Sequence, residues 1–282
     1  MRRRTCCLCT VGQVVHTLPE GEPVLGVTSL ADEVYLLRGL KERDQVEVYD
    51  VITYRLQRRL TVPNSRGFTD MTSCVHYRCV YIADHSVKCI HRLDVQGATT
   101  RWAVNDEPAG LSVNAAHYVL VTCDLVRKIK EFSSHGNLLR ELTLPDDVIK
   151  PWHATQTSNG EFIVCHGGFD DAVHRVCKVS VDGHDIIQSH GGQSGSDTGQ
   201  YKVPVRLAVH EFVFVADLNN RRVTVLSPTL GYIRQVVSRD QLKWDPHRLY
   251  LDTQRRRLYV ADNEWNSEKE VWTAGCVVVF SV

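Results

Sequence analysis

Six short apolar strands recur along the chain and constrain its fold more than any other feature. They are Val34–Arg38 (VYLLR), Val80–Asp84 (VYIAD), Leu120–Asp124 (LVTCD), Phe162–His166 (FIVCH), Val213–Asp217 (VFVAD) and Leu258–Asp262 (LYVAD). Their last residues lie 46, 40, 42, 51 and 45 positions apart. The mean, about 45, is the length of one four-stranded propeller blade. A second strand follows each: Val46–Tyr49, Lys88–His91, Lys128–Phe132, Arg175–Val179, Arg222–Leu226 and Cys276–Phe280. Its period-two alternation marks a strand packed between neighbouring sheets. Then comes a turn, often with glycine (Gly97, Gly136, Gly183, Gly231), and a more polar outer strand such as Asn137–Leu144. Inner strands open after Pro108, Pro204 and Pro246, where no ladder donor is needed.

Helical patterning is nearly absent. The expected fold is therefore all-β: a six-bladed β-propeller of four-stranded antiparallel blades. The last unit stops at Val282 without an outer strand, and Val11–Leu18 supplies one. Residues 11–282 are thus expected to form one ring. In it, 11–18 closes the last blade, and 1–10 form a loose tail. Closure removes exposed sheet edges. The glycine-rich segment His190–Gly199 accounts for the long fourth spacing and is expected to be an inserted flexible loop.

Two stretches carry a family resemblance, Val213–Leu226 (VFVADLNNRRVTVL) and Leu258–Asn263 (LYVADN), with Val80–Ile90 and Leu120–Phe132 as looser copies. They resemble the NHL repeat, similar to the C-terminal propeller of tripartite-motif and Brat-like proteins. Arg38 and His166 depart from it, standing where the repeat has Asp. The RING, B-box and coiled-coil parts of that family are absent, so its ligase activity is not implied. The resemblance implies an NHL-type scaffold that binds protein, and in some members RNA, on the face formed by its loops.

Lys+Arg and Asp+Glu number 33 each, which argues against a general nucleic-acid coat but leaves room for a local basic face. No apolar run reaches the 18 residues needed to cross a bilayer, and the N-terminus lacks a secretory h-region. Most of the 10 cysteines sit singly in strand-like runs, as buried free thiols of a reducing compartment do. A cytoplasmic monomer is expected. Cys6, Cys7 and Cys9 beside Arg2–Arg4 lack zinc spacing and could be a palmitoylation site.

In a four-stranded blade, the loops between second and third strands share one face with the loops joining successive blades. That face is expected to carry Arg66, Lys88, Arg127, Lys128, Trp152, His153, Lys202, Asn219, Asn220, Arg221 and His247, with Arg206 and Arg248 at the channel mouth beside Asp70 and Gly110. Arginine and lysine meet phosphates or carboxylates, and tryptophan and histidine stack on bases. The expected partner is a protein or peptide, with single-stranded RNA as a second reading. A concave apolar pocket would favour peptide, and a continuous basic groove would favour RNA. Asp84, Asp124, Asp217 and Asp262 are expected to be turn residues that accept backbone N–H groups. No catalytic residue, metal or cofactor is expected. The enzyme alternative is a metal-dependent lactonase-like hydrolase, which two cations beside Asp70 disfavour. Arg255–Arg257 belong to the opposite face and read as solvated surface.

Overall fold

The computed structural model describes residues 12–39 and 45–282. It is a ring of six four-stranded antiparallel sheets. Strand β1 (Gln13–Gly21) leads into blade 1, made of β2 (Val24–Leu30), β3 (Glu33–Arg38), β4 (Gln45–Asp50) and β5 (Leu56–Thr61). Blade 2 is β6 (Phe68–Cys74), β7 (Cys79–Asp84), β8 (Cys89–Asp94) and β9 (Thr99–Ala103). Blade 3 is β10 (Gly110–Val113), β11 (Val119–Cys123), β12 (Lys128–Phe132) and β13 (Leu138–Thr143). Blade 4 is β14 (Pro151–Gln156), β15 (Phe162–His166), β16 (Val173–Val179) and β17 (Ile186–Gln193). Blade 5 is β18 (Pro204–Val209), β19 (Val213–Asp217), β20 (Arg222–Leu226) and β21 (Tyr232–Val237). Blade 6 is β22 (Asp245–Asp252), β23 (Arg257–Asn266) and β24 (Val271–Ser281), completed on its outer edge by β1.

The closing strand is the one expected, shifted toward the C-terminus: it runs to Gly21 and pairs with β24 from Gln13–Ser281 to Gly21–Gly275. Residue 11 and the tail before it lie outside the described residues, as do Cys6, Cys7 and Cys9. The seven described cysteines are all free and buried. Burial pushes Cys165, Cys177 and Cys276 up to about 12, which keeps them as inert thiols.

The ring has no central core. Its apolar side chains form six clusters, one in each seam between adjacent blades. The period-two geometry of a strand produces this arrangement. In β7, Val80 and Ile82 face blade 1, while Cys79, Tyr81 and Ala83 face blade 3. In β23, Leu258 and Val260 face blade 5, while Tyr259 and Ala261 face blade 1. Both faces of these strands are buried, so they read as unbroken apolar runs.

Two expectations need correction. The segment after His190 is not a free insertion. Strand β17 continues through Gln193, and the following turn is pinned by Asn220 to the Gly195 carbonyl and by Arg222 to the Ser196 carbonyl, each at 2.9 Å. In blade 6 the strands overrun their expected ends. Asn263–Asn266 pair with Val271–Gly275, extending a hairpin arm beyond the ladder of the other blades.

In four of the six blades, the residue at the end of the repeated second-strand motif ties its blade to the loop arriving from the previous one. Asp84 accepts the backbone N–H of Arg66 at 2.9 Å, Asp217 that of Lys202 at 2.7 Å, and Asp262 those of Lys243 at 2.6 Å and Trp244 at 3.0 Å. Turn bonds within the following loop occur as well, from Ser86 to Asp84 at 3.1 Å. Arg38 does the same task with reversed polarity. Its guanidinium donates to the carbonyls of Pro19, Glu22 and Gly275 at 2.8, 2.8 and 2.9 Å and is balanced by Glu47 at 3.0 Å. His166 ties nothing: it is fully buried, and the nearby Ile149 carbonyl lies outside good hydrogen-bond geometry for either ring nitrogen.

Two outcomes follow from this architecture. Leu18, fully buried in the closing strand, anchors it to the seam of blades 6 and 1. Leu18→Ala should cost about 2–5 kcal/mol in urea denaturation. His166 gives a pH dependence. Burial, then the nearby Arg175, lowers its pKa to about 4. Above about pH 6.5 the ring is neutral in both folded and unfolded chains. Below that the unfolded chain takes up a proton that the folded chain refuses, so stability falls as pH drops toward 4. Stability curves at pH 7 and pH 5 should show His166→Leu escaping about 2 kcal/mol of the loss suffered by the parent.

Candidate functional site

The inner strands β2, β6, β10, β14, β18 and β22 converge on the channel. Gly110 permits close approach there: a Cβ at this position would lie 2.5 Å from the Trp152 carbonyl oxygen. The channel is then closed by a buried ionic cluster. Asp70, fully buried in blade 2, accepts the backbone N–H of Leu111 in blade 3 at 2.5 Å and pairs with Arg206 of blade 5. Arg206 also donates to the Leu111 carbonyl at 3.2 Å, which His153 of blade 4 meets at 3.0 Å. Arg248 of blade 6 lies 3.6 Å from the other oxygen of Asp70 and donates to the carbonyls of Thr69 at 2.5 Å and Leu25, in blade 1, at 2.9 Å. All six blades are tied at this point.

Two guanidiniums and one carboxylate leave the cluster with one positive charge. Burial, then the adjacent arginines, drives the pKa values of His153 and His247 well below the usual histidine range, so both rings are neutral. Burial also lowers Arg248, to about 10. Arg206 and His153 are 5% and 3% exposed. Both were expected to meet a partner; they serve the closure of the channel instead. Asp70 is committed to its two arginines, and among the described residues no group of three His, Cys, Asp or Glu gathers to hold a metal ion.

Above this floor, on the loop face, lies a cup of about 340 Å³. Thr69 and Arg248 contribute to its base, and Trp152, Phe169, Trp265 and Trp272 stand in its walls. Trp152 and Phe169 meet edge to face at 6.3 Å, with the Trp152 indole N–H fixed on the Gly167 carbonyl at 2.9 Å. On the blade 6 side, Trp265 and Trp272 face each other across the hairpin arm at 5.0 Å, and Trp272 packs on His247 at 4.6 Å. Leu125, Phe169 and Trp265 are 67%, 54% and 41% exposed, an unusual display for large apolar side chains around one opening. Glu107 and Asp124 also line the cup. Asp124 makes no tie like that of Asp84, and burial raises its carboxyl pKa.

The sequence-expected residues divide into groups. Trp152, His247 and Arg248 come together in the cup. Most of the cations around it are already engaged: Lys88 with Glu107 at 3.2 Å, Arg127 with Asp146 at 2.7 Å and Lys128 with Glu141 at 2.5 Å. Arg221 donates to the Trp244 carbonyl at 2.6 Å and lies 3.7 Å from Asp245. Asn219 and Asn220 belong to the 3-10 turn Leu218–Asn220, with Asn220 bonded to Asp217 at 2.7 Å. Arg66 and Lys202 are exposed, and their backbone N–H groups make the loop ties described above. These cations are interleaved with acids and form no continuous basic groove.

Sequence reasoning missed Phe169, Leu125, Trp265 and Trp272. The signal for the last two was a spacing: thirteen residues separate Asp262 from Cys276, against four between Asp84 and Cys89, and the excess holds two tryptophans. A cysteine, a histidine and an aspartate also meet in blade 2, where His91 Nε2 lies 3.4 Å from the Cys89 sulfur and 3.7 Å from Asp84. Both contacts fall on one ring nitrogen, so no proton relay runs through the imidazole. Burial, then the charge of Asp84, pushes the Cys89 thiol up to about 11, the reverse of an activated nucleophile.

No protein-family model and no curated protein matches the chain. Solved structures match it over nearly its whole length at low identity. A streptogramin B lyase aligns with a TM-score of 0.63 at 12% identity, covering 96% of this chain and 86% of that one. Virginiamycin B lyase from Staphylococcus aureus aligns at 0.62 and 11%, covering 94% and 99%. Hydrazine synthase of Kuenenia stuttgartiensis aligns at 0.62 and 10%, covering 93% and 97%. The chain shares with these proteins the six-bladed β-propeller fold.

Proposed function

We propose that the protein is a non-catalytic interaction module that seats an apolar or aromatic side chain of a protein or peptide partner in the cup on its loop face. The observation that carries this reading is the cup itself: aromatic walls and exposed apolar lips above a sealed ionic floor. Its volume lies at the lower end of ordinary ligand pockets and suits one or two side chains. Rigid aromatic walls offer much contact area with little entropy to lose, as binding hot spots do.

The engagement of Lys88, Arg127, Lys128 and Arg221 supports peptide over single-stranded RNA, because a phosphate chain would have to displace acids already in place. We keep the NHL-type reading of the repeat on the residues that carry it. Asp84, Asp217 and Asp262 all hold the same loop tie. A reducing compartment, the cytoplasm, suits the seven free buried thiols among the described residues. No helix among the described residues is long and apolar enough to cross a membrane.

A peptide array and a panel of single-stranded RNAs, probed with the full chain, test this reading. Phe169→Ala and Trp265→Ala should each weaken the selected peptide about 10- to 100-fold while leaving the melting temperature within a few degrees. Arg127→Ala and Lys128→Ala should change it less than about threefold. Peptide affinity should also vary little between 50 and 200 mM salt; a loss of roughly a thousandfold, with RNA as the ligand retained, would overturn the reading in favour of RNA.

A further inference from the structure

The face opposite the cup carries a second depression, of about 280 Å³, in which four arginines converge: Arg234, Arg255, Arg256 and Arg257. They come from two blades. Arg234 projects from β21 of blade 5, whereas Arg255 and Arg256 occupy the turn from β22 into β23 in blade 6 and Arg257 opens β23. Gly12, Ser281 and Val282 complete the lining, so the depression sits on the seam where the closing strand completes the ring. The turn is held in place: Arg256 adopts φ 54°, and its carbonyl accepts the Val282 N–H at 3.2 Å and the Arg257 guanidinium at 3.2 Å.

Charge accounting separates Arg256 and Arg257 from the cations on the loop face. Arg255 is neutralised by Asp32 at 2.7 Å and Asp252 at 3.1 Å. Neither Arg256 nor Arg257 has a described carboxylate within 4.0 Å, although the chain holds as many acids as bases. Adjacent guanidiniums repel one another, and an anion between them removes that cost. A carboxylate is matched by a single bidentate guanidinium, whereas several guanidiniums around one small concavity match a dianion with three equivalent oxygens.

We propose that this depression is a phosphate-binding site that takes a phosphomonoester, with Arg256 and Arg257 as its principal ligands and Arg234 at its wall. Its confined volume suits one phosphate group rather than the extended track that a nucleic-acid backbone needs. The same chemistry is offered by a soluble phosphorylated molecule and by a phosphoinositide headgroup at a bilayer surface.

The test measures melting temperature for the full chain in inorganic phosphate and in inositol 1,4,5-trisphosphate, each against chloride at equal ionic strength. Both anions should raise it, and the Arg256→Gln/Arg257→Gln double variant should lose the rise while unfolding at or above the parent temperature in chloride. Arg127→Gln on the loop face serves as the control and should keep the rise. Flotation with phosphatidylcholine vesicles, with and without phosphatidylinositol 4,5-bisphosphate, separates the sources. Binding only to the phosphoinositide vesicles assigns a headgroup; a rise with the soluble anions and no flotation assigns a free phosphate ester. The proposal is overturned if neither anion raises the melting temperature beyond chloride, if the double variant keeps the full rise, or if only single-stranded RNA binds in an Arg256- and Arg257-dependent way.

Discussion

The structure depends on one carboxylate. Asp70, on the innermost strand of blade 2, receives a backbone N–H from blade 3 and an arginine from blade 5, and stands beside an arginine from blade 6 that also donates to blades 1 and 2. A propeller whose apolar clusters all lie between blades has little else to hold its centre. Buried ion pairs gain little net stability over apolar packing, but removing one partner leaves costly unpaired charge. The cluster is therefore better understood as fixing the relative positions of the blades, with the seams supplying the stability. It also sets the electrostatics of everything above it, because the cup rests on its surplus positive charge.

The architecture was legible because it follows from two periods. The spacing of about 45 residues counts blades, and the period of two along each strand divides side chains between two seams. Val80 and Ile82 against Cys79, Tyr81 and Ala83 show that division within one strand. The closing strand was legible for the same reason, since a missing outer strand at one end and a spare one at the other leave a single pairing. The departures from the repeat were visible, but their effect was not. Arg38 preserves the loop tie by donating to carbonyls instead of accepting N–H groups, whereas His166 abandons it.

The site was less legible, because charge pairing is a property of distance in space. Arg206 and Asp70 are 136 positions apart, and nothing local marks Arg206 as buried while Arg256 is exposed. Position in the repeat placed cations on both faces, and residue type alone then assigned recognition to the loop face and left the opposite face as solvated surface. Pairing in three dimensions reverses the emphasis: the loop-face cations are mostly answered by acids, and recognition there passes to aromatic side chains on an arm that lengthens one hairpin.

The pairing of β1 with β24 has a consequence for how the chain comes to be folded. During synthesis β1 has no partner until β24 has left the ribosome, so an unpaired edge persists while the intervening strands assemble behind it. Contacts of such long sequence separation form slowly. The ring is thus open for most of its assembly and becomes cooperative in a single late event, when Val277–Ser281 meets Gln13–Leu18.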